Sequence, residues 1–212
     1  MSDREDHKQR ARKPTRPART ARTQARAKPI TESRLRNIAL HYLERYASAS
    51  ANLRRVLMRR VARARLEDPA AAPDAEAWID ALITRFESAG VLDDAVYARA
   101  QAQTLHRRGV SAKGVRYRLS AKGVQAVDID GALEALKETL GEGLENAPGD
   151  ADLMAACNYA RRRRLGPWRR TTRAEHRDRD LAALGRQGFS FHIARTVIDS
   201  PDIKSLENRA SY

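Results

Sequence analysis

The chain has 212 residues, with 41 Lys and Arg against 27 Asp and Glu and a formal net charge of +14. Hydrophobic residues make up 42% and charged residues 32%, so part of the chain can bury a core while a wide surface stays wet. No run approaches the roughly 18 apolar residues of a membrane span, no apolar signal core opens the chain, and a single cysteine, Cys157, excludes an internal disulfide framework and a cysteine-based zinc site. A cytoplasmic setting with no membrane partner is the expectation. The basic excess points to a polyanion or an acidic protein surface.

Residues 1–30 do not read as folded. Met1 to Lys28 holds ten Lys and Arg against Asp3, Glu5 and Asp6, a local charge of +7. Pro14, Pro17 and Pro29 break any helix, and large apolar residues are nearly absent. Burial cannot then offset the entropy of ordering, so a disordered basic tail is expected.

From Ile30 the period becomes helical. Leu35, Ile38, Ala39, Tyr42, Leu43 and Tyr46 form one continuous apolar stripe. Ser50 reads as the N-cap of a second helix carrying Leu53, Val56, Leu57 and Val61. A Pro-Ala loop over residues 67–74 follows, then a helix with Trp78, Ile79, Leu82, Ile83 and Phe86 on one face. Asp93 and Ser111 read as caps of the next two helices, and Asp128 precedes a helix with Ile129, Leu133 and Leu136. Gly141 to Gly149 reads as a soft joint. Beyond it, Leu153, Ala156, Cys157 and Ala160 share a stripe, Leu181 and Leu184 follow, and Ser190 opens a last helix with Ala194, Val197 and Ile198.

Period-2 alternation is missing, so the fold class is all-α. Gly90-Val91, Gly109-Val110, Gly123-Val124 and Gly188-Phe189 read as helix ends with Gly at C′. Ser50 with Leu53 to Leu57 is echoed by Ser111 with Val115 to Leu119, and Lys122-Gly123-Val124 by Gln187-Gly188-Phe189. A period near sixty residues implies three tandem three-helix units in an elongated, curved array over residues 31–200. Their approximate bounds are 31–90, 91–141 and 150–200, with 201–212 as a C-terminal tail.

An active site is hard to assemble from these residues. His41, His106, His176 and His192 fall in four helices with none at ligand spacing, and read as surface histidines. Asp93-Asp94, Asp128 with Asp130, and Glu76 with Asp80 lie at helix starts, where carboxylates complement the dipole. Cys157 reads as a small buried hydrophobe. No nucleotide loop is present, and no cofactor or metal is expected.

The basic residues carry the functional information. Arg54, Arg55, Arg59 and Arg60 share one helix. Arg107 and Arg108 end another, and Lys113, Arg116, Arg118 and Lys122 fill the next. Arg161, Arg162, Arg163 and Arg164 end a fourth, followed by Arg169 and Arg170. One or two cations per helix end serve the dipole, but four in a row repel one another and exceed that need. These clusters are the expected surface for a polyanion or an acidic partner, contacting phosphate rather than sequence. Aromatic stacking finds little support, with Trp168 the one candidate in a basic setting.

The residues then resemble a family. Phe86-Glu-Ser-Ala-Gly90-Val-Leu92-Asp93-Asp94-Ala-Val-Tyr97-Ala98 looks like the "LGxLDDxxYA" segment of the bacterial RecX regulatory proteins. Ser50-Ala-Asn-Leu53-Arg54-Arg55-Val-Leu57 resembles the family's "SxxELRxxL", and the segment from Arg107 to Val124 its "RRGxGPxxIRxxLxxKG". Leu184-Gly-Arg186-Gln-Gly188-Phe189, with Val197-Ile198, resembles its closing "LxRRGFxxxxIxxVL". Asn52, the loop 67–74 and Gln187 depart from the pattern. The resemblance implies a non-enzymatic, monomeric regulator that docks in the groove of the RecA filament on single-stranded DNA. It also implies inhibition of RecA's ATPase, strand-exchange and coprotease activities, in DNA repair and the SOS response. The main rival is a helix-turn-helix protein binding DNA directly. That reading needs base-reading Asn, Gln and Arg on one exposed helix face. A nuclease is disfavoured by the absence of clustered acids and histidines.

Overall fold

The computed structural model describes residues 29–141 and 151–210. Except for Pro29 and Ile30, the expected basic tail lies outside the described residues, as does the expected joint beyond Gly141. The described residues form ten α-helices and no strand. They are α1 (Glu32–Leu43), α2 (Ser50–Glu67), α3 (Ala75–Ser88), α4 (Asp94–Arg107), α5 (Ala112–Lys122), α6 (Ala126–Gly141), α7 (Ala151–Arg163), α8 (Arg177–Arg186), α9 (Phe191–Asp199) and α10 (Ile203–Ala210). A 3₁₀ turn spans Gly166–Trp168.

The apolar stripes close into three successive cores. Leu35, Leu53, Leu57, Val61, Ile79 and Phe86 form the first, from α1 to α3. Ala98, Val115, Leu119, Ile129 and Leu133 form the second, from α4 to α6. Leu153, Ala160, Leu184, Phe189, Val197 and Ile198 form the third, from α7 to α9. The segment expected as a C-terminal tail contributes to this third core. Asp202 Oδ1 accepts from the Ser205 N–H at 2.7 Å to start α10, and Leu206 is only 1% exposed. A helix with one buried leucine carries too weak a stripe to be read from sequence.

Most helix ends follow their local signals. Side-chain oxygens of Thr31, Asp93, Ser111 and Ser190 accept from the N–H three residues on. The N–H groups of Val91, Val110, Val124 and Phe189 return to the carbonyl five residues earlier, across a glycine with positive φ. Two starts differ. Helix α6 begins at Ala126, before Asp128, which sits inside its first turn. Ser50 is not a cap: it is the first residue of α2, after Ala49. Its N–H is satisfied instead from another unit, by Asp94 Oδ1 at 2.8 Å.

That bond is one half of a repeated joint. Ala112 at the start of α5 donates its N–H to Asp152 Oδ1 at 2.7 Å. In both cases the second helix of one unit is capped by an acid in the first turn of the following unit's first helix. The C-termini are used in the same way. Gly123 at the end of α5 stands against Ala51 near the start of α2, and Gly188 at the end of α8 against Ser111. Ser111 Oγ also donates to Gln187 O at 2.7 Å. The second helices therefore abut end against start, in the order α8, α5, α2.

Gly109 ends α4 where α7 crosses. A Cβ there would lie 2.6 Å from Tyr159 N and 2.8 Å from Ala155 O, both backbone atoms that cannot turn aside. Gly90 has the same left-handed φ with nothing within 4 Å. Gly90→Ala should therefore cost about 1–2 kcal/mol for the backbone conformation alone. Gly109→Ala should cost about 1–3 kcal/mol more from overpacking. Urea denaturation of the two variants checks this; equal losses would mean that the joint yields.

Candidate functional site

Charge is sorted by helix in the first two units. Helix α2 carries Arg54, Arg55, Arg59, Arg60, Arg63 and Arg65 against Glu67, and α5 carries Lys113, Arg116, Arg118 and Lys122 with no acid. The third helices are the reverse. Helix α3 has Glu76, Asp80 and Glu87 against Arg85, and α6 has Asp128, Asp130, Glu134 and Glu138 against Lys137. The third unit does not keep this sorting. Asp178 and Asp180 interrupt α8, and the arginine run sits at the end of α7.

Some of the basic residues are engaged in holding the fold. Arg54 grips Asp80 with two hydrogen bonds, at 2.6 and 3.3 Å, and Arg116 makes the equivalent ion pair with Asp130. Arg54 holds the Asp80 carboxyl below the usual carboxylate range, and the same bond raises the arginine. Arg55 crosses the first joint and donates to Ala121 O at 2.9 Å. Arg162 crosses the second and donates to Arg108 O at 3.0 Å. Arg169 grips Asp180 at 2.7 and 3.2 Å, and this acid is 1% exposed and also accepts the Gly166 N–H at 3.0 Å. In the repeat, Asp180 stands where Val115 is buried in the middle unit.

The other candidates face solvent. Arg59, Arg60, Arg107, Arg108, Lys113, Arg118, Lys122, Arg164 and Arg170 are exposed and make no ion pair among the described residues. Arg161 donates to Asn158 Oδ1 at 3.2 Å, and Arg163 lies over the Tyr159 ring at 6.0 Å. The structure gathers these cations into two adjoining areas. One follows the row of second helices, because Arg55 reaches the end of α5 and Lys113 lies beside Gly188. The other joins the C-termini of α4 and α7, clipped by the Arg162 bond. The turn from Arg108 to Ser111 leads from one to the other.

Two side chains differ from expectation. His106 is buried, not on the surface, and its Nε2 lies 2.7 Å from Ala151 O. Helix α7 covers it, starting 45 residues further along the chain. Trp168 is half-buried against the third core. The aromatic ring that stands out in a basic setting is Tyr117 on α5, 76% exposed. Asn52 on α2 donates to Ser48 Oγ at 2.8 Å and to Tyr42 Oη at 3.2 Å, so it is not presented for base reading.

Among the described residues no group of three or more His, Cys, Asp or Glu is placed to share a metal ion. No described helix is long and apolar enough to cross a membrane. An apolar cleft of about 340 Å³ lies at the second joint, lined by His106, Leu133, Leu136 and Ile193. What the surface offers chemically is an extended set of cationic hydrogen-bond donors suited to phosphate or carboxylate, on a helical frame.

The sequence is 39% identical over 177 residues to the regulatory protein RecX of Myxococcus xanthus, covering 82% of this chain and 89% of that one. The chain belongs to the RecX family. The RecX of Agrobacterium fabrum is 34% identical over 164 residues, with 77% and 80% covered. A crystal structure of a regulatory protein RecX shares the fold at a TM-score of 0.54 and 17% identity, over 80% of this chain and 72% of the other. No protein-family model matches. The all-α array of three-helix units expected from the sequence is thus the architecture of a RecX protein.

Two predictions concern the groups that hold this surface. Asp180→Ala removes the acceptor of the buried Gly166 N–H and leaves a partly exposed Arg169 without its partner, and should cost about 1–3 kcal/mol in urea denaturation. The second concerns acid. Asp80 is held low by Arg54 and Asp199 by Arg177. Their contribution is full above the unfolded-state value of about 3.9 and is lost as pH falls through the lowered folded-state values. Both pairs are solvent-exposed and screened, so the effect is small. Below pH 4 the stability of the parent should therefore fall more steeply than that of the Asp80→Asn/Asp199→Asn double variant.

Proposed function

We propose that this chain is a non-enzymatic regulator that binds the RecA recombinase filament on single-stranded DNA and inhibits its ATPase, strand-exchange and coprotease activities. The relationship to RecX proteins over most of both chains carries this reading. The cation-lined array supports it. A rod of linked helical units can span neighbouring protomers of a filament, and its exposed Lys and Arg can meet acidic protein surface and phosphate. The protein acts as a monomer in the cytoplasm, without cofactor, in DNA repair and the SOS response. Binding to single-stranded DNA alone is non-specific, because phosphate contacts carry no sequence.

The direct test is RecA ATPase on single-stranded DNA, with the purified protein at substoichiometric ratio. ATP hydrolysis should fall and filaments should shorten; no change in either would overturn the reading.

Charge reversal tests the surface. Arg55, Arg116 and Arg162 hold the fold, so the informative pairs are Arg59 with Arg60, Lys113 with Arg118, and Arg107 with Arg164. Reversing each pair should weaken filament inhibition with helicity nearly unchanged. Inhibition should suffer more than binding to naked DNA, since a docked rod touches protein as well as phosphate. Equal losses would favour simple DNA coating.

Residues 1–28 add +7. Their deletion should flatten the salt dependence of single-stranded DNA binding, by about 0.7 for each phosphate that the tail had neutralised. Inhibition at low salt should survive it. Loss of inhibition there would place the tail in the specific interface.

A further inference from the structure

We propose that Tyr117 is a stacking platform for an unstacked base of single-stranded DNA, set in the middle of the cationic row. The proposal deepens the functional reading above, and rests on it for the identity of the strand.

The core does not use this ring. Val115 and Leu119 fix the buried face of α5, at 1% and 2% exposure. At 100° per residue, position 117 points directly away from that face. The ring is 76% exposed. A tyrosine left outside on a short helix contributes nothing to packing that a polar residue would not.

The surroundings match a nucleic-acid strand. Lys113 lies one turn before Tyr117 on the same face, about 6 Å away between Cβ atoms. One turn after it is Ala121, whose carbonyl accepts from the Arg55 guanidinium. Cations thus bracket the ring along the row of second helices, and Arg118 is its exposed neighbour in sequence. Helix α5 carries no acid that would repel a phosphate. A flat π face between cations is the arrangement by which sequence-tolerant proteins hold single strands, with bases stacked and phosphates neutralised. A duplex keeps its bases paired and offers the ring nothing, so the platform also favours single over double strands. The repeat makes the feature particular to the middle unit, since α2 carries Arg55 at the corresponding place.

The experiment uses naked strands and no recombinase, so its failure is distinguishable from failure of the regulatory reading. Fluorescence anisotropy measures full-length protein on a labelled thymidine 20-mer and on an abasic 20-mer of equal charge. The parent should bind the thymidine strand more tightly. Tyr117→Ala should lose about five- to tenfold on that strand and little on the abasic one, while Tyr117→Phe keeps parent affinity on both. Circular dichroism of Tyr117→Ala should match the parent, as the side chain is exposed. Equal affinity of the parent for both strands would overturn the proposal. So would a Tyr117→Ala variant that binds the thymidine strand as tightly as the parent.

Discussion

The architecture depends on helix ends that their own units leave incomplete. An α-helix begins with N–H groups that have no partner within it, and burying them unpaired is costly. Helices α2 and α5 start buried between units, with Ser50 and Ala112 at the mouth of each joint. In both, the missing acceptor is a carboxylate from the next unit, Asp94 or Asp152. A unit separated from its successor would leave this donor open and would expose the glycine or serine surfaces beside it. Stacking is thereby built into the hydrogen-bond satisfaction of each unit. The register of one unit on the next is fixed by atoms of defined position rather than by apolar area alone.

The same joints decide what the basic residues can do. A long guanidinium near a joint finds a backbone carbonyl, as Arg55 and Arg162 do, and adds a clip across it. One facing an acidic third helix finds a carboxylate, as Arg54 and Arg116 do. Only cations directed away from both stay uncompensated. Because the ends of successive second helices abut, these residues accumulate along a continuous row instead of being scattered around three separate bundles. The acidic residues of the first two units lie mostly on other helices, α3 and α6.

Much of this fold is legible in the sequence because its determinants are local. A 3.6-residue stripe, a Ser or Asp before it and a Gly-apolar pair after it all lie within one helix. What escaped reading lies between helices distant in sequence. Ser50 looks like a cap until Asp94, 44 residues later, takes its N–H. His106 looks exposed until α7 covers it. Nothing local marks Asp180, which stands at the place of the buried Val115 of the preceding repeat and pairs there with Arg169. The division of the arginines into structural and exposed was equally hidden. Arg54 and Arg59 share one helix, and only the position of Asp80 on α3 separates their roles. Tyr117 was masked by composition, since a low aromatic content says nothing about where the few rings point.

The third unit shows what changes when the joint is not repeated in full. In the middle unit, the C-terminus of α4 needs Gly109, because α7 crosses so closely that a Cβ would meet its backbone. The C-terminus of α7 makes the same return bond, from the Leu165 N–H to Ala160 O, but the left-handed residue there is Arg164. A side chain in that conformation costs about 1–2 kcal/mol over glycine. It is sterically allowed only where no helix crosses so closely. Helix α10 lies against α7 instead and adds Leu206 to the third core. Position 164 therefore tolerates a side chain where Gly109 does not, and Arg164 is exposed.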